Sequence, residues 1–434
     1  MARLKPYPEY RDSGVEWIGE IPKDWQLIKL RYLVTIRNNS RNQENLPYLG
    51  LENIESKTGK IISINEDIIE GQSIRFENKD VLFGKLRPYL AKVAHVDFEG
   101  HCSTEFIVLK AEKIKAELLK YIMLSSKFIS HVDSSTYGTK MPRANWEFIK
   151  NIFIPLSISK QQEEIVKFLN DRTRQIDSLI SDKERLLELL EEKRQAIITE
   201  TVTKGLDPHV KMKDSGIEWI GEIPEHWETV KLKFLGDATM GLLYSPTETT
   251  YKEQGKLVLR ASNIQSSMID IQREDNVYVN KEIPESLLTK VDDILICARS
   301  GSRDLIGKSA LIDEHSAGNS FGAFTTVFRS EYNDFISYVF RSGLFQSQIG
   351  TYLTSTINQL TMSNLRNLEI VLPPREEQKT LVGFLGKYDK DVNDSIEIIK
   401  KQITKLKEYR ESLIYEAVTG KIDLRDYEEN ATEH

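Results

Sequence analysis

Between residues 159 and 200 the chain has no proline or glycine, and its apolar side chains recur at helical spacing. Ile176, Ile180, Lys183, Leu187, Leu190, Arg194 and Ile197 follow a 4-3-4-3 rhythm, which keeps one seam turned toward a partner helix. The pattern predicts one helix of about 60 Å, at about 1.5 Å per residue. Ser159 and Gln162 are placed to open it as a capping box, and Gly205 to stop it. The chain supplies its own partner for the seam. Adding 216 to each position gives Val392, Ile396, Ile399, Ile403, Leu406, Arg410 and Leu413. Only Lys183 opposite Ile399 changes character, and Arg194 and Arg410 interrupt both seams at the same place.

The rest of the chain repeats as well. Asp12-Ser13-Gly14-Val15-Glu16-Trp17-Ile18-Gly19-Glu20-Ile21-Pro22 returns as Asp214-Ser215-Gly216-Ile217-Glu218-Trp219-Ile220-Gly221-Glu222-Ile223-Pro224, an offset of 202. Trp17 and Trp219 read as packing anchors, so the same docking is expected twice. Strand-like runs follow at 47–51, 59–64, 81–83 and 106–109, then a helical stretch at 114–124. The second half answers loosely: Leu51-Glu52-Asn53-Ile54 matches Ala261-Ser262-Asn263-Ile264, and Asp80-Val81-Leu82-Phe83 matches Asp293-Ile294-Leu295-Ile296. Polar loops at 134–144 and 355–363 close the two regions. Anchors and helices match closely while the regions between them share a frame and little else, so one scaffold presents two different surfaces.

At 434 residues the chain exceeds one typical core, and two domains plus connecting helices are expected. The chain-order segments are 1–158, an anchor with a first domain; 159–206, a long helix; 207–373, a second anchor and domain; and 374–434, a second helix and tail. Charged residues make up 29% and no run of eighteen apolar residues occurs, so no membrane span is expected and a cytoplasmic location is the default. Cys102 and Cys297 stand far apart, as buried small hydrophobes rather than metal ligands. The net charge of −7 conceals a difference between segments: residues 25–153 carry +4 and residues 227–370 carry −3.

No constellation for covalent chemistry emerges. Gly307-Lys308-Ser309 lacks the glycine spacing and frame of a phosphate loop. Asp67 with Glu77 and Lys79 outlines a metal-dependent nuclease site that has no counterpart in the second half. A binding function fits better. Phe83-Gly84-Lys85-Leu86-Arg87-Pro88-Tyr89 puts two cations and a tyrosine on a turn at the end of a strand, and Ala298-Arg299-Ser300-Gly301-Ser302-Arg303 does so in the second half. Such forks suit phosphates and guanine edges.

The Trp-Ile-Gly-Glu-Ile-Pro anchors, the Gly84-Lys85-Leu86-Arg87-Pro88 turn, the Ile370-Val371-Leu372-Pro373-Pro374 run leading to Glu377-Gln378, and the two long helices resemble the specificity subunits of Type I restriction–modification systems. The resemblance implies a mixed α/β fold: two tandem target-recognition domains joined by two long helices in an antiparallel coiled coil, a pseudo-two-fold internal repeat. It implies a non-catalytic subunit that binds an asymmetric bipartite site in double-stranded DNA. Two methyltransferase (modification) subunits would dock on it, with restriction/translocase subunits joining them. S-adenosylmethionine, ATP and Mg would belong to those partners, and no cofactor or metal to this chain. The alternatives are the specificity subunit of a methylation-only or related bipartite system, a protein-gripping scaffold, or a fused nuclease. Candidate contacts to the first half-site are Arg37, Asn38, Asn39, Arg41, Lys85, Arg87, Tyr89, Lys140 and Arg143. For the second they are Arg260, Ser262, Arg299, Ser300, Ser302, Arg303, Lys308, Asn358, Gln359 and Thr361. The helix-pair seam comprises Ile176, Ile180, Leu187, Leu190, Ile197, Val392, Ile396, Ile403, Leu406 and Leu413.

If the paired helices set the distance between half-sites, a heptad inserted in both, after Leu190 and after Leu406, keeps the seam and adds about 10 Å of helix. At about 3.4 Å per base pair, the preferred DNA spacer should lengthen by up to about three base pairs. Methylation of a spacer-length library measures this. An unaltered spacer preference in a folded variant would remove the helices as the ruler.

Overall fold

The computed structural model describes residues 5–38, 46–64, 72–136, 140–353, 358–425 and 427; Asn39, Arg41 and Asp67 lie outside them. The chain divides into two compact units, Met1–Glu184 with Lys400–His434, and Arg185–Ile399. Each unit therefore joins one chain-order domain to part of each long helix.

Each unit contains its anchor as a hairpin. In the first, Tyr10–Asp12 pairs antiparallel with Glu20–Pro22; in the second, Met212–Asp214 pairs with Glu222–Pro224. The reversal is held the same way in both: an Asp carboxylate accepts from the glycine N–H two residues on, at 2.9 Å for Asp12 and for Asp214. The tryptophans part company. Trp17 is 5% exposed and meets Phe128 edge-on at 5.6 Å, whereas Trp219 is 40% exposed. The expected second docking of this ring does not occur, and the deep anchor of the second unit is Trp227, fully buried with its indole N–H on Glu377 at 3.0 Å.

The sheet of the first unit contains β1 (Val34–Arg37), β2 (Asp80–Gly84), β3 (Val93–His95) and β4 (Phe106–Ala111) in the order β1-β4-β2-β3, all antiparallel. The second unit repeats this with β5 (Asp237–Met240), β6 (Ile294–Cys297), β7 (Ser309–Leu311) and β8 (Thr325–Arg329), ordered β5-β8-β6-β7. Side-chain alternation gives this sheet two apolar faces. Ile294, Ile296 and Phe328 enter a core with Phe335, Phe340 and Trp227, while Leu295 and Val327 join Leu257, Leu259 and Phe321. A second sheet supplies that layer in each unit, of three strands in the first and four in the second. Cys102 and Cys297 are fully buried, and burial pushes the Cys297 thiol up to about 11, so both behave as small apolar groups. The matched Asn53 and Asn263 sit in equivalent 3-10 turns and accept from the backbone N–H of Gly50 and Arg260, at 2.6 and 2.9 Å.

The chain reaches each long helix through a strand paired with the one after the anchor: Phe153–Leu156 with Gln26–Lys29, and Glu369–Leu372 with Glu228–Lys231. Helix α1 spans Ser159–Lys204 and α2 spans Arg375–Val418. The predicted capping box does not form. Ser159 is already helical, and the Gln162 side chain reaches back to the Ser157 carbonyl at 2.9 Å; Gln378 does the same to Pro373 at 2.7 Å. A side-chain amide thus occupies an unpaired carbonyl just before each helix.

Within the first unit, Asp177 of α1 meets Arg410 of α2 at 2.7 Å, Lys183 meets Gln402 at 2.7 Å and Glu184 meets Lys407 at 3.3 Å. Within the second, Arg194 meets Asn393 at 2.6 Å. Position falls on α2 as it rises on α1, so the pairing is antiparallel. Ile176, Ile180, Val392, Ile396, Ile399, Ile403 and Leu413 are buried in it, and Leu187, Leu190, Ile197 and Leu406 are half-buried. The two seam arginines are buried at repeat-related places. Arg410 also donates to the Lys57 carbonyl at 3.1 Å, and Arg194 lies beside Glu191 and Asp389. No helix among the described residues is long and apolar enough to cross a membrane.

Arg410→Ala removes a buried guanidinium and its bonds to Asp177 and the Lys57 carbonyl, but leaves Asp177 42% exposed, and should lower stability by about 1–2 kcal/mol. Asp177→Asn copies the repeat's own Asn393 and should cost less than about 1 kcal/mol. Urea unfolding midpoints of the two variants test the ranking.

Candidate nucleic-acid interface

β2 is buried along its whole length and ends at Gly84, where the chain turns outward with its cations. That turn is held by the backbone. Lys85 donates to the Glu105 carbonyl at 2.9 Å, Ala144 donates to the Lys85 carbonyl at 2.8 Å, and Arg87 donates to the Pro142 carbonyl at 2.8 Å. Leu86 and Arg143 form a bridge. The strand-end turn and the polar loop, far apart in sequence, therefore make one surface.

The second unit builds the same surface. Leu360 donates to the Ala298 carbonyl at 2.8 Å, Ala298 donates to the Phe324 carbonyl at 3.0 Å, and Arg299 bridges Gln359. Asn358 adds a contact to the Gly301 carbonyl at 3.4 Å. Short helices fix both polar loops: the Asn145 side chain caps Trp146–Ile149 and Thr361 caps Met362–Asn367.

Identical frames carry different chemistry. At the position where the first unit has Glu105, whose carboxylate binds Arg143 at 2.8 Å, the second has Phe324, 61% exposed beneath the Arg299 guanidinium at 5.2 Å. One cation is held by charge, the other by a ring face. A groove of ≈ 470 Å³ in the first unit is lined by Asn38, Lys85, Arg143 and Trp146, among others. Arg87 adopts a left-handed conformation at φ 50°, and its buried Nε has no hydrogen-bond partner among the described residues. Lys140 is exposed beside this loop. Ser300 and Ser302 stay with the Arg299 turn, and Arg303 donates to the Gly350 carbonyl at 3.2 Å.

Five candidate residues are placed otherwise. Arg37 lies on β1 and its guanidinium turns back to Asp80 at 2.6 Å and Glu77 at 2.7 Å. Asp80 is 1% exposed and takes the Glu77 N–H at 2.8 Å; burial raises its carboxyl above the usual range against the pull of these two donors. The equivalent Asp293 takes the Lys290 N–H and is paired by Arg329 from β8, so two different strands supply the same countercharge. Arg260 is tied to Asp275 through the backbone carbonyl and the carboxylate. Ser262 belongs to the Ala261–Asn263 turn, with its hydroxyl buried. Tyr89 borders a separate pocket of ≈ 260 Å³ with Lys57, Asp133 and Arg410. Lys308 borders another, of ≈ 300 Å³, with Glu191, Arg194 and Gln346. Thr361 stays at the loop, but its hydroxyl accepts the Asn364 N–H at 3.1 Å. Residues absent from the candidate set are Glu105, Phe324, Asn145 and Trp146. The visible signal for the first two was their place just before a strand that pairs with the turn-bearing strand.

A family profile described as the Type I restriction modification DNA specificity domain matches residues 22–189 and 224–406. The chain is similar to the Type I restriction enzyme MjaVIII specificity subunit of Methanocaldococcus jannaschii, 27% identical over 94% of this chain and 95% of that protein. Similarity to the EcoKI specificity subunit of Escherichia coli K12 is 30%, over 46% of this chain and 44% of that one. Among solved structures, a chain of a type I R-M system shares the fold with TM-score 0.73 and 19% identity, over 92% of this chain and 98% of that one. The HsdS subunit of Thermoanaerobacter tengcongensis does so with TM-score 0.51 and 18% identity, over 93% and 98%.

Arg37→Met leaves Asp80 buried without its cation and should destabilise the protein by about 3 kcal/mol or more. Lys140→Met removes an exposed charge and should change stability by less than about 0.5 kcal/mol. Urea denaturation compares them, and equal, small effects would return Arg37 to the interface.

Proposed function

Because the chain belongs to the Type I restriction modification DNA specificity family, we propose that each unit reads one half of an asymmetric bipartite site in double-stranded DNA through its strand-end turn and polar loop. The observation that carries this is the same backbone frame in both units, Ala144 on Lys85 and Leu360 on Ala298, bearing different side chains. A fixed frame with exchanged chemistry is what two different half-sites require. In the first unit Lys85, Arg87, Lys140 and Arg143 face the half-site, with Asn38 in the adjoining groove. In the second, Arg299, Ser300, Ser302, Arg303, Asn358 and Gln359 do so, with Arg299 over the Phe324 ring. Asn39 and Arg41 remain candidates on sequence grounds.

The subunit itself is non-catalytic on this proposal. Two methyltransferase subunits supply S-adenosylmethionine chemistry, and restriction subunits supply ATP-driven translocation and Mg-dependent cleavage. Glu77, one residue of the nuclease outline, is engaged by Arg37.

Arg87→Ala tests the assignment. A base-edge contact predicts a loss of about 1–3 kcal/mol confined to one base position of one half-site. Methylation by the reconstituted complex, read over a library of site variants, distinguishes this from uniform weakening, which marks a phosphate contact. An unchanged profile removes the turn from the interface.

A further inference from the structure

Each unit carries a second patch that, unlike the loops, repeats its outward ring and adjacent cation in both, although the lysine that opens it lies over Phe153 in the first unit and pairs with Glu369 in the second. Lys29-Leu30-Arg31-Tyr32-Leu33 and Lys231-Leu232-Lys233-Phe234-Leu235 are repeat mates. Leu30–Tyr32 and Leu232–Phe234 each form one 3-10 turn. The first leucine of each turn is fully buried, while the aromatic ring points outward, Tyr32 at 56% and Phe234 at 73% exposure. The neighbouring cation lies over that ring: the Arg31 guanidinium at 4.8 Å and the Lys233 ammonium at 5.2 Å. The same cation donates to an asparagine carbonyl, Arg31 to Asn151 at 3.1 Å and Lys233 to Asn367 at 3.3 Å. Beside each asparagine stands one more basic residue, Lys150 or Arg366.

A single exposed aromatic has no special meaning. This one recurs with its cation, its asparagine and its basic neighbour, although the strands that follow, Val34-Thr35-Ile36-Arg37 and Asp237-Ala238-Thr239-Met240, do not match. The fold does not require it, because substitutions at exposed side chains leave stability nearly unchanged. The second unit keeps these cations even though residues 227–370 carry a net charge of −3. The patch also sits at the other end of the sheet from the loops. The Leu33 carbonyl accepts from Glu112 and Lys113, just past the end of β4, whereas Lys85 meets Glu105 just before its start. In the second unit the Leu235 carbonyl accepts from Ser330, just past the end of β8, and Phe324 just precedes it.

We propose that the two patches are equivalent docking sites for one protein that binds this chain in two copies, through an acidic surface with an apolar notch that receives the ring. The inference rests on the function proposed above, in which that protein is the methyltransferase subunit. A ring backed by a guanidinium or ammonium supplies apolar area at low entropic cost, with charge selecting the partner face.

The test uses the full chain assembled with the methyltransferase subunit, with copies counted by native mass spectrometry. Arg31→Glu with Tyr32→Ala, and Lys233→Glu with Phe234→Ala, should each reduce two copies to one, and the four changes together should leave none. The exchange variants Arg31→Lys with Tyr32→Phe, and Lys233→Arg with Phe234→Tyr, should keep two. Arg31→Glu and Lys233→Glu alone, which leave the rings in place, should weaken each site about tenfold and serve if the double changes impair folding. Patch variants that still carry two copies overturn the inference. Two copies with DNA binding weakened uniformly would make the patch a phosphate contact and overturn it as well. A wild-type chain that binds no methyltransferase would instead sink the proposed assembly, a result separate from the behaviour of the variants.

Discussion

Burial of the apolar seam on two long helices is the constraint from which the remaining architecture follows. A helix of 46 residues with a narrow apolar stripe cannot cover that stripe by itself, and the duplicated stripe on the second helix is its match. Because the pairing is antiparallel, the start of α1 lies against the end of α2 in the first unit, and the end of α1 against the start of α2 in the second. Chain order and compact units therefore disagree, and Lys400–His434 belongs with the N-terminal domain. The join is also made at the chain ends: Tyr10 donates to the Gly420 carbonyl at 3.1 Å, and Asp423 to the Lys5 carbonyl at 2.8 Å. Gly420, at φ 73°, stops the helix where a side chain would meet Pro22 at 2.5 Å.

The seam arginines show how a polar residue is tolerated in such a place. Arg194 and Arg410 are each met by an oxygen acceptor from the facing helix, an Asn in one case and an Asp in the other. Each guanidinium thus has an acceptor in its buried place, although the Arg194 Nε lacks a hydrogen bond among the described residues. Since the pair matches only in one register, the arginines also oppose sliding of one helix along the other. The same economy appears at Asp80 and Asp293. The buried carboxylate is retained, and the guanidinium reaches it from β1 in one unit and from β8 in the other.

Features set by period and local chemistry were legible in the sequence. The seam, the strands around Val81 and Phe106 and the paired strand-end and polar loops follow from spacing and from the internal repeat, and the antiparallel order from the family resemblance. The loops proved to be neighbours because strand pairing leaves Gly84 beside Phe106 and Cys297 beside Thr325. Individual cations were less legible. Arg37 and Arg260 have the chemistry of DNA contacts, and what withdraws them is a carboxylate 43 and 15 residues away. Tyr89 and Lys308 follow the right loops but face other pockets, since direction depends on local backbone rather than on residue type. Trp219 had an exact repeat mate and still differs in burial, because packing depends on the neighbours and these are not repeated.

The acidic balance of the second unit bears on how such a domain can hold DNA. A net negative region gains little from long-range attraction, so affinity must come from a few cations already in place. The Arg299 guanidinium lies over the Phe324 ring and that of Arg303 donates to the Gly350 carbonyl, so less side-chain entropy is lost when they engage a ligand. In the first unit, with more positive charge, Lys85 and Lys140 are point charges on flexible stems. On the proposed assignment of contacts, the two units divide the problem differently, the first by local charge and the second by preorganised guanidinium groups, which is compatible with one retained frame carrying different side chains.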